Sequence, residues 1–234
     1  MKFARAMLGC VLAATVISAH AQQDPVLFYG IMELSGTGAT PGTNFDNGAK
    51  LAVKEINAGG GILGRKINYV STDTQTNPGV AKAIAQKAVE QKAYVVLGPV
   101  HSGSMIVSMG ETRQAQIPNF TGGEAAIITR QQNPYVFRTS FTQSSSMPKL
   151  ARYIKDNVKA GSVGMVYTNN DFGKGGRDEM QKALAAQNIK VVADISTDPG
   201  QVDMSDLREK QARQSTDVGA PGILDLRRVR TVLH

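Results

Sequence analysis

One histidine and two serines stand together in the segment His101-Ser102-Gly103-Ser104, which follows an apolar run and opens an expected helix. A catalytic serine needs a base held at hydrogen-bonding distance, and a base adjacent in sequence rarely has that geometry. The G-x-S-x-G motif of many hydrolases is also absent. The hydroxyls of Ser102 and Ser104, with the free backbone N–H groups of a helix start, are better suited to binding a ligand. The alternative is that both serines only cap the helix.

A second polar segment, Thr121-Gly122-Gly123-Glu124, follows the next apolar run. Gly122 and Gly123 have no side chains, so a ligand can approach their backbone closely. Glu124 is suited to holding an amine or another cationic group. The alternative is that Glu124 stands at a helix start and stabilises the dipole of a short turn.

A third segment, Asp171-Phe172-Gly173, occupies the corresponding place in the second half of the chain, directly after a predicted strand. Phe172 is suited to covering a ligand from the side opposite to the first two segments. The alternative is an ordinary helix start with a buried aromatic side chain.

The loop Ser35–Gly42 lies between a strand and a helix, where a dinucleotide-binding G-x-G-x-x-G motif would stand. The spacing of its glycines does not fit that motif, and Asp73 is too far along the chain to serve as the acidic partner. Backbone N–H groups that point into a cleft are the better interpretation, since a helix start attracts carboxylates as well as phosphates. An unoccupied turn is the alternative.

Composition disfavours several other classes of protein. The single cysteine, Cys10, lies in the leader described below, so thiol catalysis, disulfides and cysteine-bound metals are not expected in the mature chain. Asp203 and Asp206 lack the pattern of a calcium loop, and no metal or cofactor is expected. The net charge of +7 is scattered and aromatic residues make up only 6%, so nucleic-acid binding is not expected either.

The N-terminus has the features of a secretory signal peptide. Lys2 and Arg5 precede an apolar run that ends near Ile17, and Ala19-His20-Ala21 is a cleavage pattern, with cutting expected after Ala21. The run is too short to span a bilayer and has no polar face, which argues against an amphipathic helix. We therefore predict export to the periplasm.

Strands and helices alternate after this leader. Apolar runs predict four strands, at 26–32, 66–71, 93–97 and 117–120. Helices are expected between them, at 44–57, 77–91 and 102–115. Their predicted caps are Asn44, Asn77 before Pro78, and Ser102 or Ser104; Ala49, Ala52, Val53 and Ile56 are expected on one face of the first helix. Such connections force parallel pairing, giving an open α/β sheet that binds ligands at the carboxyl ends of its strands.

The same alternation restarts after Arg138, with a helix at 144–158, a strand at 162–167, a helix at 172–186 and a strand at 190–195. We divide the chain into a signal peptide (1–21), a first lobe (22–138), a partial second lobe (139–205) and an atypical, disordered tail (206–234). The tail is polar and then basic, without apolar periodicity across Leu207–Thr216. A frameshift product is the preferred explanation of the tail, and a native disordered segment is the alternative.

Several motifs in order resemble the branched-chain amino-acid-binding (leucine/isoleucine/valine-binding) family. They are Glu33-Leu34-Ser35-Gly36, Asn47-Gly48-Ala49-Lys50-Leu51-Ala52, Glu55 to Arg65, Gly98-Pro99-Val100, Asn133 to Thr139 and Asn169-Asn170-Asp171-Phe172-Gly173. The resemblance runs from about Pro25 to Ser205. It implies a type I periplasmic-binding-protein fold, with two α/β lobes of doubly wound parallel sheets that close on a ligand, the second lobe being incomplete here.

The resemblance also assigns residues. Ser102 matches the serine that binds the ligand carboxylate, and Phe172 stands where the family usually has a tyrosine that packs over the ligand. Gly122, Gly123 and Glu124 align with a small-small-threonine segment that contacts the ligand's ammonium and carboxylate. Glu124 departs from that threonine, and Pro41 stands where an aromatic residue often lines the cleft; both departures argue against a simple aliphatic amino acid.

By this resemblance the chain is a monomeric solute-binding component of an ABC importer, with an amino acid or amide-like small polar solute as ligand and a membrane permease as partner. Because part of the second lobe has no counterpart in the sequence, impaired closure is expected. Two alternatives stay open, namely an exported α/β enzyme and a truncated product without function.

Overall fold

The computed structural model describes residues 24–201 and residue 203. The leader (1–21) and the tail (206–234) that the sequence predicts lie outside the described residues. The first lobe consists of β1 (Val26–Met32), α1 (Ala39–Ala58), β2 (Ile67–Asp73), α2 (Pro78–Glu90), β3 (Val95–Leu97), α3 (Ser102–Gln114), β4 (Asn119–Thr121), α4 (Ile127–Arg130) and β5 (Val136–Arg138).

The five strands of this lobe form one parallel sheet in the order β2-β1-β3-β4-β5. The chain steps from β1 to β2 in one direction and then crosses to β3 on the other side of β1. Right-handed crossovers therefore place α1 on one face of the sheet, and α2 and α3 on the other. The strand order reverses between β1 and β3, so a ligand crevice is expected at the carboxyl ends of these two strands.

The number of strands predicted for this sheet, four, is wrong, because β5 adds a fifth. β5 has only three residues, and its apolar run, Tyr135-Val136-Phe137, is shorter than the segments that predict the other four strands. Pairing with β4 fixes this strand: Phe120 is in register with Phe137, and their rings stack with centroids 5.1 Å apart.

The main core of the first lobe lies between the sheet and α2. It consists of aromatic and aliphatic side chains from β1, α2 and β3, among them Tyr29, Ile31, Ala81, Ile84, Ala85 and Val96. The predicted start of α2 is confirmed, because the Asn77 side chain accepts hydrogen bonds from the amides of Gly79 and Val80, with Pro78 at the first position.

Helix α1 begins at Ala39, so the prediction of a helix capped by Asn44 is wrong. A distant loop fixes its first turn. Thr76 Oγ1 accepts a hydrogen bond from the Gly38 amide at 3.0 Å and donates one to the Ser35 carbonyl at 2.7 Å. Neither contact has a local signal in the sequence.

The apolar face predicted for α1 is not buried throughout, since Ala52 and Ile56 are exposed. The fully buried side chain of this helix is instead Asp46, which accepts hydrogen bonds from Tyr69 Oη at 2.8 Å and Ser71 Oγ at 2.7 Å. Burial alone would raise the pKa of Asp46, but these bonds and Lys50 at 2.6 Å lower it. Helix α1 therefore rests on polar groups of β2.

An apolar groove of about 390 Å³ opens beside α1, where no other described helix covers the sheet. Its walls come from α1, β3, β4 and the residue after β5: Asn44, Phe45, Gly48, Ala49, Leu97, Phe120 and Thr139. None of these lining residues is charged, so the groove has no partner for a charged ligand.

The second lobe consists of α5 (Gln143–Tyr153) with a π-helical continuation (Ile154–Val158), β6 (Ser162–Thr168), α6 (Asp171–Ala186) and β7 (Lys190–Thr197). Its two strands pair in parallel. Met147, Met165, Met180 and Leu184 form a core between α5, α6 and the sheet. Within the residues that the structure describes, no helix has the length and apolar character needed to cross a membrane.

Candidate functional site

The polar segments after β3 and β4 meet at the carboxyl edge of the sheet, as predicted. Ser102 at the start of α3 is almost fully buried, and its Oγ accepts a hydrogen bond from the backbone amide of Ala125 at 3.2 Å. The hydrogen bond of Ser102 thus joins two loops that are far apart in sequence.

Helix α3 has a buried first turn. His101 is its N-cap residue, so the prediction that Ser102 or Ser104 caps it is wrong. The His101 side chain makes no capping hydrogen bond, and no acidic residue lies in the first turn. By contrast, Asn77 and Asn170 cap α2 and α6 with their side chains. A buried helix start without a side-chain cap is suited to receiving an anionic group.

Glu33 holds the loop that connects β3 to α3 through a hydrogen bond. Its carboxylate accepts a hydrogen bond from the Val100 amide at 3.0 Å, although Glu33 follows β1 and Val100 follows β3. Burial raises the pKa of Glu33, and the backbone amides of Val100 and His101 offset part of this rise. The loop is therefore held across the switch point of the sheet.

His101 has no catalytic partnership with Ser102. Its Nδ1 is buried without a hydrogen-bond partner among the described residues, while Ser102 Oγ contacts the Ala125 amide. Burial lowers the pKa of His101, and the charge of Asp171 opposes this shift in part. Without a hydrogen bond between the histidine and the serine, this pair does not form an activated nucleophile.

The two glycines after β4 lie close to side chains of the first lobe. A Cβ on Gly123 would stand 2.7 Å from Ile128 Cδ1, and one on Gly122 would stand 3.3 Å from the Val100 side chain. The amide of Gly123 donates to Thr121 Oγ1 at 2.9 Å. Packing within the first lobe therefore also favours small residues at these two positions.

Glu124 lies near the guanidinium of Arg138. Burial raises the pKa of Glu124, and Arg138 offsets part of that rise. Arg138 holds the loop after β4 by donating to the carbonyls of Gly123 and Ala125, the latter at 3.0 Å. The carboxylate precedes α4 and is not in its first turn. The chain's own Arg138 therefore already supplies a cationic group near Glu124.

Phe172 stands on the second lobe and is 39% exposed, which disagrees with the alternative of a buried aromatic side chain. Its backbone carbonyl accepts a hydrogen bond from Gln143 Nε2 at 2.8 Å, and Asn170 caps the helix behind it. The ring is therefore presented on a well-supported helix start.

The second lobe meets the first along α6. Arg130 on α4 forms an ion pair with Glu179 on α6 at 2.9 Å. A Cβ on Gly103 would stand 3.0 Å from Asp171 Oδ2, and a Cβ on Gly200 would stand 3.6 Å from Thr37 Cγ2. Ser102 and Phe172 thus lie on two surfaces that face each other.

The loop after β1 is held by the chain. Asp73 accepts hydrogen bonds from the amides of Leu34 and Ser35 and from Ser35 Oγ, the last at 2.6 Å. These bonds lower the pKa of Asp73 against a small opposing effect of burial. Asp73 thus stabilises this loop.

No cluster of three metal-ligating side chains occurs among residues 24–201 and 203.

Sequence reasoning did not assign roles to Glu33, Arg138 or Asp171, which the structure places around the predicted segments. Each stands at or directly after the carboxyl end of a strand, or at the start of a helix, and this position is the signal that points to them. Arg138 was missed because the apolar run before it, Tyr135-Val136-Phe137, is too short to predict β5.

Comparisons with known proteins agree with this geometry. A sequence profile described as "Periplasmic binding protein" matches residues 30–222, a range that extends past residue 205. The leucine-specific-binding protein of Salmonella typhimurium is 29% identical over 210 residues, covering 88% of this chain and 56% of its own length. The Leu/Ile/Val-binding protein of Escherichia coli is 29% identical over 212 residues, covering 90% of this chain and 57% of its own length. The chain thus spans little more than half of these relatives.

Solved structures show the same arrangement. The branched-chain amino acid transporter substrate-binding protein LivJ from Streptococcus pneumoniae, in complex with isoleucine, superposes with a TM-score of 0.73 at 27% identity, covering 80% of this chain and 53% of that protein. The leucine-binding protein LivK from Thermotoga maritima superposes with a TM-score of 0.72 at 17% identity, and the match covers 84% of this chain and 61% of that protein. At this low identity the likeness shows the fold alone. With its parallel sheets of type I topology and the profile match over most of its length, the chain belongs to the periplasmic binding protein family.

Proposed function

We propose that this chain is the solute-binding component of an ABC importer and that it binds a branched-chain or related amino acid, or an amide-like small polar solute. Its relatives are named for binding leucine, isoleucine and valine, and they are transport proteins. The observation that carries the proposal is the buried first turn of α3, which has no side-chain cap and faces the second lobe.

In the proposed complex the ligand carboxylate lies at the first turn of α3. The helix start supplies N–H groups and a favourable dipole, and Ser102 adds a hydroxyl at the same place. Gly122, Gly123 and Glu124 form the adjoining wall, and Phe172 covers the ligand from the second lobe. Burying the charges between two preorganised surfaces is how such a site gains affinity.

In this proposal Glu124 selects for the charge of the ligand group that lies away from the carboxylate. Its carboxylate is partly buried, and the only compensation shown in the described residues is Arg138. A ligand with an ammonium or amide N–H group gives Glu124 a second partner, whereas a purely anionic ligand adds like charge.

The proposal includes a periplasmic location, removal of the signal peptide after Ala21, a monomeric state and delivery to a membrane permease. Family membership supports the location and the transport role. An enzyme is less well supported, because neither His101 nor Ser102 has the partner that catalysis requires.

Isothermal titration of the purified chain with a panel of amino acids and amides tests the proposal. We expect one ligand to bind with an affinity that falls about tenfold or more in Ser102→Ala, because a charge-assisted hydrogen bond is lost. Ser162→Ala is the matched control, since Ser162 is exposed at the start of β6, away from the carboxyl edge.

The result against the proposal is a chain that melts cooperatively and yet binds no member of the panel. Equal affinities in Ser102→Ala and Ser162→Ala would contradict the role of Ser102 alone. Hydrolysis of a panel compound that is lost in His101→Ala would favour the enzyme alternative.

A further inference from the structure

Gly103 is the second residue of α3, and a residue of the second lobe lies close to it. A Cβ at this position would stand 3.0 Å from Oδ2 of Asp171, which is tighter than ordinary van der Waals contact. Asp171 is the first residue of α6 on the second lobe. The contact therefore runs from the start of one helix to the start of another, across the cleft.

The backbone of Gly103 does not explain why a glycine stands there. The residue has helical conformation without a positive φ, so any side chain is compatible with its backbone. The space around Gly103 offers a reason.

That space is taken by the other lobe. The nearest atoms to a Cβ at Gly103, apart from Asp171, belong to His101 at 3.5 Å. By comparison, Gly123 is confined by Ile128 of its own lobe and Gly173 by Thr168 of its own lobe. Gly103 thus differs from these glycines because its closest neighbour lies across the cleft.

We propose that Gly103 and Asp171 form the closure stop of this protein, so that the absent side chain at 103 sets how far the second lobe can approach the first. A side chain at 103 that is too large for the Asp171 carboxylate to turn away from acts as a wedge between α3 and the start of α6. The wedge holds the lobes apart next to Ser102 and weakens ligand binding without touching the ligand. This inference rests on the proposed function only where it concerns affinity.

A distance between spin labels tests the closure stop without any ligand. Gln114→Cys on α3 and Ala185→Cys on α6 are exposed labelling sites, placed in a Cys10→Ser background. We expect Gly103→Leu to shift the distance distribution to larger values, and Gly103→Ala to shift it less. Gly110→Leu is the matched control on the same helix, because a Cβ at Gly110 meets nothing within 4 Å.

A double variant tests whether Asp171 is the residue that a side chain at 103 meets. Adding Asp171→Ala to Gly103→Ala removes the carboxylate that meets the new methyl group, and we expect the distance to return to that of the unchanged chain. The inference is overturned if Gly103→Leu leaves the distance unchanged, if Gly110→Leu shifts it equally, or if Asp171→Ala gives no rescue.

Ligand titration of the same variants separates this inference from the proposed function. If a ligand binds, we expect about tenfold weaker binding in Gly103→Leu. If no ligand binds to any variant, the proposed function fails while the distance measurements still decide on the closure stop.

Discussion

The guanidinium of Arg130 lies 2.9 Å from the carboxylate of Glu179, and this ion pair joins α4 of the first lobe to α6 of the second. Arg130 lowers the pKa of Glu179. The Arg130 side chain is 54% exposed, so the pair is worth at most about 1 kcal/mol. We expect Arg130→Gln to lower the free energy of unfolding by about 0.5 kcal/mol at neutral pH, as measured by urea denaturation.

The sign of the pH dependence follows from that lowered pKa. The ion pair stabilises the folded chain at pH values above the pKa that Glu179 has in the unfolded chain. This stabilisation is lost as the pH falls through the lower pKa that Glu179 has in the folded chain. Lys182→Gln is the control, because Lys182 contacts Glu179 from within the same helix. An effect of Arg130→Gln that does not shrink at high salt would contradict an ion pair.

Glu33 is expected to make stability fall as the pH rises. Burial raises its pKa above the ordinary value of 4.5, so the folded chain holds this proton more tightly than the unfolded chain. The contribution of Glu33 to the free energy of unfolding is therefore most favourable at pH values below its unfolded pKa, and it becomes less favourable as the pH rises above that value. Glu33→Gln keeps an oxygen for the Val100 amide and removes the buried charge, so we expect the variant to be more stable than the unchanged chain at pH 7.5.

Chemical denaturation from pH 4.5 to 8 checks this expectation. The quantity to compare is the difference in unfolding free energy between the two chains, because other carboxyls titrate equally in both. A difference that stays constant across this range would show that Glu33 is not the group responsible.

The hydroxyl of Tyr69 donates to the buried carboxylate of Asp46 at 2.8 Å. We expect Tyr69→Phe to lower the free energy of unfolding by about 1–2 kcal/mol, because a hydrogen bond to a charged group is lost. Tyr94→Phe is the control, since Tyr94 is 67% exposed. Equal stabilities of these two variants in urea denaturation would show that the Tyr69 hydroxyl contributes nothing.

Gly173 stands in the first turn of α6, where a Cβ would lie 1.9 Å from the Thr168 carbonyl oxygen. We expect Gly173→Ala to lower the free energy of unfolding by about 2 kcal/mol, because the backbone of the helix or the strand must move. Gly48→Ala on α1 meets nothing within 4 Å and is expected to raise it by about 0.5 kcal/mol. Urea denaturation midpoints measure both, and a stabilising Gly173→Ala would contradict the packing described here.

Several features of the site were visible in the sequence because they depend on local patterns. The loops after β3 and β4 are marked by glycine and hydroxyl residues behind apolar runs, and parallel pairing brings such loops to one edge. That topology predicts the shared edge, and the hydrogen bond between Ser102 and Ala125 forms there.

Other features depended on contacts that no local pattern encodes. The true start of α1 is set by Thr76, which is far along the chain, and β5 exists because it pairs with β4. The apolar residues Ala52 and Ile56 suggested a buried face, but Asp46 is the residue that β2 buries. Periodicity reports which residues are apolar, and it does not report what stands opposite them.

The sequence by itself determined the α/β alternation, the parallel first sheet and the segments that line its carboxyl edge, because strand–helix spacing and turn residues act locally. Only the tertiary structure decided how those segments are held. Glu33 supports the loop before α3, Arg138 fixes the loop after β4, and Asp171 meets Gly103 across the cleft. The physical reason is that buried charges and close backbone approaches are settled by long-range packing, which sequence spacing does not specify.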